Sequence, residues 1–157
     1  MTRCKPHFPS ACLAVNLSRN LSLSLDLAGP GHCCVLVFTR LTAGVDAVAD
    51  IFKRCRDRHA EMAITGAMLF DGEHLAALLC GAGPQVALAA DALVTDPRQS
   101  HARVLATAAD SPVWAGLSWR TGWCEPDALA MFSQTDAPQG KAAIEAWQAL
   151  MAASDLL

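Results

Sequence analysis

At 157 residues the chain is long enough for one domain with a sizeable core. Hydrophobic residues make up 53% of it and charged residues 17%, a globular balance that excludes a disordered chain. The formal charge of −3, with no Lys/Arg run interleaved with aromatics, argues against a nucleic-acid partner. No stretch of about 18 apolar residues calls for a membrane span.

The first segment, 1–31, differs from the rest of the chain. Arg19 and Asp26 interrupt its apolar stretch, so it lacks the clean apolar region of a secretory signal. Pro30 follows "LAG" where a lipoprotein would carry cysteine. It reads as a poorly ordered N-terminal extension. From residue 33 the pattern is regular. "CCVLVFTR" (33–40) is a short β-branched apolar run of the kind that forms a central strand. "LTAGVDAVADIFKRCRDRH" shifts to helical period, with Val45, Val48, Ala49, Phe52 and Cys55 on one stripe. "ITGAMLFDGEHLAALLCG" supplies two strands, near 64–70 and 75–80, joined by the turn pair Asp71-Gly72. Gly83-Pro84 opens a second helix that carries Val86, Ala89, Ala90 and Leu93 on its apolar face. "ARVLATAA" and "VWAGLSWRTG" read as two further strands. After Glu125-Pro126 come a short helix, "PDALAMFSQ", and a longer one, "PQGKAAIEAWQALMAAS".

This order predicts an α+β fold: a ferredoxin-like βαββαββ mixed sheet with two helices on one face and two C-terminal helices. The tail helices, with Ile144, Trp147, Leu150 and Met151, are the natural cover for the sheet's other face. The seven cysteines are odd in number and irregularly spaced, which predicts reduced, mostly buried thiols in a cytoplasmic protein. The architecture hosts many functions, so function has to come from a site.

Chemistry-bearing constellations are sparse. Cys55 and His59, four apart on a helix, and the adjacent Cys33-Cys34 lack the repeated spacing of a zinc site, so no metal is expected. "GAGPQV" lacks the lysine and glycine pattern of a phosphate loop. Cys80 has His74 and His101 as its only conceivable activators, and no arginine–asparagine pair is placed for an acylphosphatase-like oxyanion. No catalytic residue is assigned, and no enzymatic activity is expected.

"AITGAMLFDGEHLAALLCG", the helix that ends in "TDPRQSH", and "WAGLSW" together resemble a BLUF domain. BLUF domains are blue-light sensors that hold FAD between two helices over a mixed sheet. Ile64-Thr65-Gly66-Ala67-Met68-Leu69-Phe70 meets the family's strand pattern, Cys80-Gly81 half-matches its Glu-Gly pair, and Asp96-Pro97-Arg98-Gln99 stands at the end of its second helix. The resemblance covers roughly 33–122. It implies a BLUF-like domain at 32–125 and a C-terminal helical cap at 126–157, as in the short stand-alone members. It also implies a homo-oligomer or a separate downstream protein partner.

The same resemblance implies the site. Ile51 would pack on the flavin ring. His59 would take the place of an asparagine that bonds the ring's carbonyl edge. Thr65 belongs to the Thr-Gly motif, and Asp96 and Arg98 would meet the cofactor's polar part. The family's switch consists of a tyrosine on the first strand and a glutamine on the third. Their positions fall on Phe38 and Ala77, and further on Leu117 and Trp119 stand where tryptophan and methionine are common. A phenyl ring has no hydroxyl proton to give, and alanine has no amide. The resemblance therefore implies a sensory domain without the ordinary Tyr/Gln photocycle. Two outcomes stay open: FAD is retained, or the chain is a flavin-free, BLUF-derived protein-interaction module.

Overall fold

A computed structural model describes residues 31–109 and 118–156. The expected extension over 1–31, apart from Gly31, and Leu117 lie outside the described residues. In chain order the elements are β1 (His32–Leu41), α1 (Asp46–Glu61), β2 (Thr65–Phe70), β3 (His74–Ala82), α2 (Gly83–Val94), β4 (Gln99–Ala109), β5 (Arg120–Trp123), a 3-10 turn (Ala130–Ser133), α3 (Lys141–Ala152) and β6 (Asp155–Leu156). They form one mixed sheet in the order β4-β1-β3-β2-β5-β6. The β2–β5 pair is parallel and every other pairing is antiparallel. This is the expected ferredoxin-like α+β arrangement.

The sheet separates two apolar layers. On one face Val35 and Val37 of β1, Met68 and Phe70 of β2, and Ala77 and Leu79 of β3 pack under α1 and α2. On the other, Leu36, Phe38, Leu69, Ala76 and Leu78 pack under Leu129, Phe132, Ala143, Trp147 and Met151. β1 and β3 are buried on both faces, which is why their sequences run apolar without alternation. The C-terminal segment thus covers the second face as expected. Trp147 is its fully buried anchor and donates its indole N–H to the Ala76 carbonyl at 3.4 Å.

Several local expectations are corrected. The buried stripe of α1 is Val48, Ile51, Phe52, Cys55 and His59; Val45 and Ala49 face outward. Of the strand expected over "VWAGLSWRTG", residues 113–117 lie outside the described residues and β5 begins at Arg120; the first tail helix is a single 3-10 turn. Cys34 and Cys80 are joined in a disulfide, against the expectation of free thiols, while Cys33, Cys55 and Cys124 are free. The register explains the pairing: Cys34 lies directly across from Cys80, with Cα atoms 4.2 Å apart, so both sulfurs project to one side of the β1–β3 ladder.

The hairpin tip ties the two layers together through Asp71. Its Oδ1 accepts the backbone N–H groups of Glu73 (3.0 Å) and His74 (2.7 Å), and its Oδ2 accepts that of Leu129 (2.9 Å) in the cap. The same Oδ2 lies 3.2 Å from His74 Nδ1. Burial works to raise the Asp71 pKa. The N–H donors of His74, Glu73 and Leu129 outweigh it and hold the carboxyl below its ordinary value. Replacing Asp71 by alanine strands those donors in the interior and is expected to cost roughly 3–5 kcal/mol. Asp71→Asn, which keeps one acceptor oxygen, should lose less. Urea titration of both variants reads the difference, and equal stability of Asp71→Ala and the wild type would remove the carboxylate as the fastening of the cap.

Candidate functional site: the cleft between the two sheet-packed helices

The cleft lies between α1 and α2 on the face of the sheet away from the cap. Ile51, Cys55 and His59 come from α1 at one helical spacing, Ala89 and Leu93 from α2, and Asp96 and Arg98 from the turn that follows. It encloses a cavity of about 150 Å³. Alanines at 87, 89 and 90 are all buried, so α2 sits close to the sheet and the cavity stays small.

Of the residues expected at a flavin site, Ile51, His59, Asp96 and Arg98 line this one cleft; Thr65 does not. The Thr65 hydroxyl donates to the Cys80 carbonyl at 3.3 Å, across the β2–β3 ladder. Asp96 and Arg98 bind each other: Arg98 Nη2 and Nε reach the two Asp96 oxygens at 2.7 and 3.0 Å. Arg98 Nη1 donates to Asp50 Oδ2 on α1 at 2.6 Å, so it spans the mouth of the cleft. The bond from Arg98 holds the Asp96 carboxyl below its ordinary pKa. Sequence reading missed Asp50, and also Arg54 and Arg58, which line the rim at the i, i+4 spacing of one helix face.

Inside the charged rim the cleft's one buried polar side chain is His59, and Trp119 of the helix-facing layer packs against it. His59 is 1% exposed and Trp119 8%, with ring centroids 4.1 Å apart in an edge-to-face contact. His59 Nδ1 and Trp119 Nε1 both lack a hydrogen-bond partner. A buried polar atom left unpaired costs about 1–3 kcal/mol, and native interiors rarely keep two side by side without something to receive them. Burial, with a smaller contribution from the Arg58 charge, lowers the His59 pKa from 6.5 to about 4. The imidazole is therefore neutral at pH 7 and can donate or accept. Burial likewise pushes the Cys55 thiol up to about 12, so it stays protonated.

Because the folded His59 resists protonation and the unfolded one does not, its contribution to stability is complete above pH 6.5 and is lost as the pH falls toward about 4. At about 1.4 kcal/mol per unit, that loss is on the order of 3 kcal/mol. Thermal unfolding between pH 4 and 7 should show the decline, and His59→Asn should flatten it. An equal decline in both proteins would show that His59 is not its source.

The register separates the two switch positions. Ala77 lies on the helix-facing side of β3, but Phe38 does not face the cleft. The Phe38 ring stacks on His74 at 5.3 Å and meets Phe132 at 6.3 Å, beneath the cap. The residue directly opposite Ala77, on the same face, is Val37. Side chains alternate along a strand, so a one-residue difference moves a group to the other side of the sheet. The cross-strand pair under the cleft is thus Val37–Ala77, and neither residue carries a polar atom. Thr39, next on that face, is hydrogen-bonded to Gln99.

The described residues hold no group of three or more His, Cys, Asp or Glu side chains able to take a metal ion. None of their helices is long and apolar enough to cross a membrane.

Residues 37–112 match the family model BLUF, "Sensors of blue-light using FAD". No curated protein matches the chain. Among solved structures, the dark state of the BLUF protein BlrB superimposes with a TM-score of 0.63 at 19% identity, covering 79% of this chain and 97% of that one. The photo-activated state of BlsA gives 0.54 at 15% identity, over 64% of this chain and 76% of that one. A Klebsiella pneumoniae BlrP1 complex with manganese and cyclic diGMP gives 0.52 at 17%, over 78% of this chain and 29% of that one. At these identities the superpositions speak for the fold, and the family match supplies the kinship. The family model's match over residues 37–112, on a ferredoxin-like sheet with a helix-walled cleft, identifies that stretch as a BLUF domain, a blue-light sensory domain.

Proposed function

We propose that the α1–α2 cleft binds a flavin, FAD by family habit, and that the domain lacks the Tyr/Gln photocycle. The observation that carries this is the unpartnered buried His59 Nδ1 in a residue that lines the cleft, backed by the packed Trp119 whose Nε1 is also unpartnered. A flavin's pyrimidine edge offers carbonyl acceptors and an N–H donor, which suits an indole N–H and a neutral imidazole. When bound, the group supplies light absorption and electron-accepting ring chemistry. In this assignment Ile51 packs against the ring, His59 bonds its polar edge, and Thr65 holds the β2–β3 ladder. Arg98 and Asp96 close the mouth, with Arg54 and Arg58 as the cations on its rim that would meet a phosphate.

We assign 32–125 as the sensory unit, 126–157 as its cap and 1–31 as an extension. The domain works as a cytoplasmic, non-enzymatic sensor. It signals through self-association or a separate protein partner and contacts neither nucleic acid nor membrane.

A second reading, a flavin-free interaction module, is favoured by the cavity itself. About 150 Å³ is half the lower end of pockets that bury a drug-sized ligand, and Arg98 bridges the mouth to Asp50. An absorbance scan after incubation with FAD and gel filtration separates the two. A co-eluting yellow protein supports the first reading, and a colourless one ends it in favour of the second.

A further inference from the structure

We propose that the groove between α1 and β5, on the flank of the helix turned away from the cleft, binds a small planar aromatic carboxylate. It shares no lining residue with the cleft. It encloses about 510 Å³, within the range of pockets that bury a drug-sized ligand. β5 contributes Thr121 and Trp123, which pair with Met68 and Phe70 of β2 and so stand on the helix-facing side of the sheet. α1 contributes Val45, Val48 and Phe52, so the walls are apolar. Among the described residues, two of the large hydrophobic side chains left exposed, Val45 and Trp123, meet in this groove. Phe70 fixes the indole in an edge-to-face contact at 4.9 Å. An indole held this way beside an apolar wall is a surface for a flat ring.

Thr121 supplies the polar contact. It is 8% exposed, and its hydroxyl bonds no described residue. A nearly buried O–H on an otherwise apolar wall is a donor without an acceptor, which a ligand oxygen would satisfy. The charges on the rim say which oxygen. α1 runs back along the sheet from the end of β1 to the start of β2, against the direction of β5. Lys53 and Arg56 therefore stand beside Thr121, while Val45 and Asp46 stand beside Trp123. Both cations reach a single carboxylate outside the lining, Asp57, at 3.0 and 3.8 Å, which leaves one positive charge over. Asp46, the lining's carboxylate, lies about two helical turns before Lys53, at the opposite end of the groove. A ligand whose ring rests on Trp123 and Val45 thus brings its carboxylate to the Thr121 hydroxyl, with Arg56 and Lys53 as counter-charges.

Calorimetric titration of the full chain with cinnamate is the test, and saturable uptake at one site is expected. Thr121→Val and Trp123→Ala should each weaken it roughly tenfold. Lys53→Gln with Arg56→Gln alters only exposed side chains, so this double variant folds, and it should weaken uptake several-fold. Leu88→Ala, an exposed apolar residue on α2, should leave it unchanged. Cinnamamide, which keeps the ring and a carbonyl but has no charge, should bind several-fold more weakly than cinnamate. No saturable uptake up to millimolar cinnamate, or uptake that none of the groove variants changes, overturns the inference. Cinnamamide binding as tightly as cinnamate overturns it too, because the cations then recognise nothing. A chain that sediments as a dimer and takes up cinnamate only when diluted to the monomer gives the groove to a second copy, and likewise overturns it.

Discussion

Gly66→Ala yields no folded protein. Gly66 sits in β2 at φ +118°, a backbone region that residues with a Cβ rarely adopt. A Cβ there would lie 1.9 Å from the Leu78 carbonyl oxygen on the neighbouring strand β3. That oxygen belongs to the backbone of a central strand and cannot withdraw without opening the β2–β3 ladder, where Gly66 pairs with Leu79. Strain and overlap together cost on the order of 5 kcal/mol, comparable with the whole stability of a small domain. Gly44→Ala is the control: a Cβ there meets nothing within 4 Å, so the change should be near neutral. Circular dichroism and soluble yield distinguish the two, and a Gly66→Ala protein that unfolds with wild-type cooperativity would show that the close approach is not real. The Thr-Gly pair so prominent in the sequence therefore serves the sheet: one residue bonds across the ladder and the other lets the strands meet.

The second large effect is a gain. Val37→Tyr with Ala77→Gln, in flavin-loaded protein, should produce the light-induced red shift of the family. Phe38→Tyr with Ala77→Gln should not. The phenol must share a sheet face with both the amide and the cleft, and of positions 37 and 38 only 37 does so, directly opposite Ala77. Phe38 points into the layer under Phe132, where an added hydroxyl would meet an aromatic neighbour and His74. Each enlargement overpacks a full interior and should lower stability by about 1–3 kcal/mol, which a parallel thermal scan will show. A red shift from the Phe38 pair and none from the Val37 pair would reverse the register on which this depends.

How much of the structure the sequence reveals varies with the residue. The order of elements is legible because the punctuation is chemical: Asp71-Gly72 can only turn, Gly83-Pro84 starts a helix, and periods switch cleanly between them. The stripe of α1 is not, because apolar Val45 and Ala49 stand beside the inward residues at the start of the helix, and the sheet it meets decides which of them turn inward. The position of Phe38 is hidden for a sharper reason. "CCVLVF" is apolar at every residue because β1 is buried on both faces, so the alternation that ordinarily reveals facing is absent. Only the pairing of Val37 with Ala77 supplies it. The Cys34–Cys80 bond is hidden for the same reason, since it depends on register and on no spacing along the chain. The cleft residues on α1, by contrast, follow from helical geometry once one of them is fixed. Ile51, Cys55 and His59 recur every four residues and share one side.

The domain proposed is a sensory scaffold whose cleft can hold a flavin while the strands beneath it hold only hydrocarbon. The light-minus-dark absorbance difference of the unmodified chain, reconstituted with FAD, bears on this without any substitution. Bound flavin absorption with no light-induced red shift is the expected result. A reversible red shift in the wild-type protein would contradict it, because Val37 and Ala77 have no donor or acceptor with which to produce one.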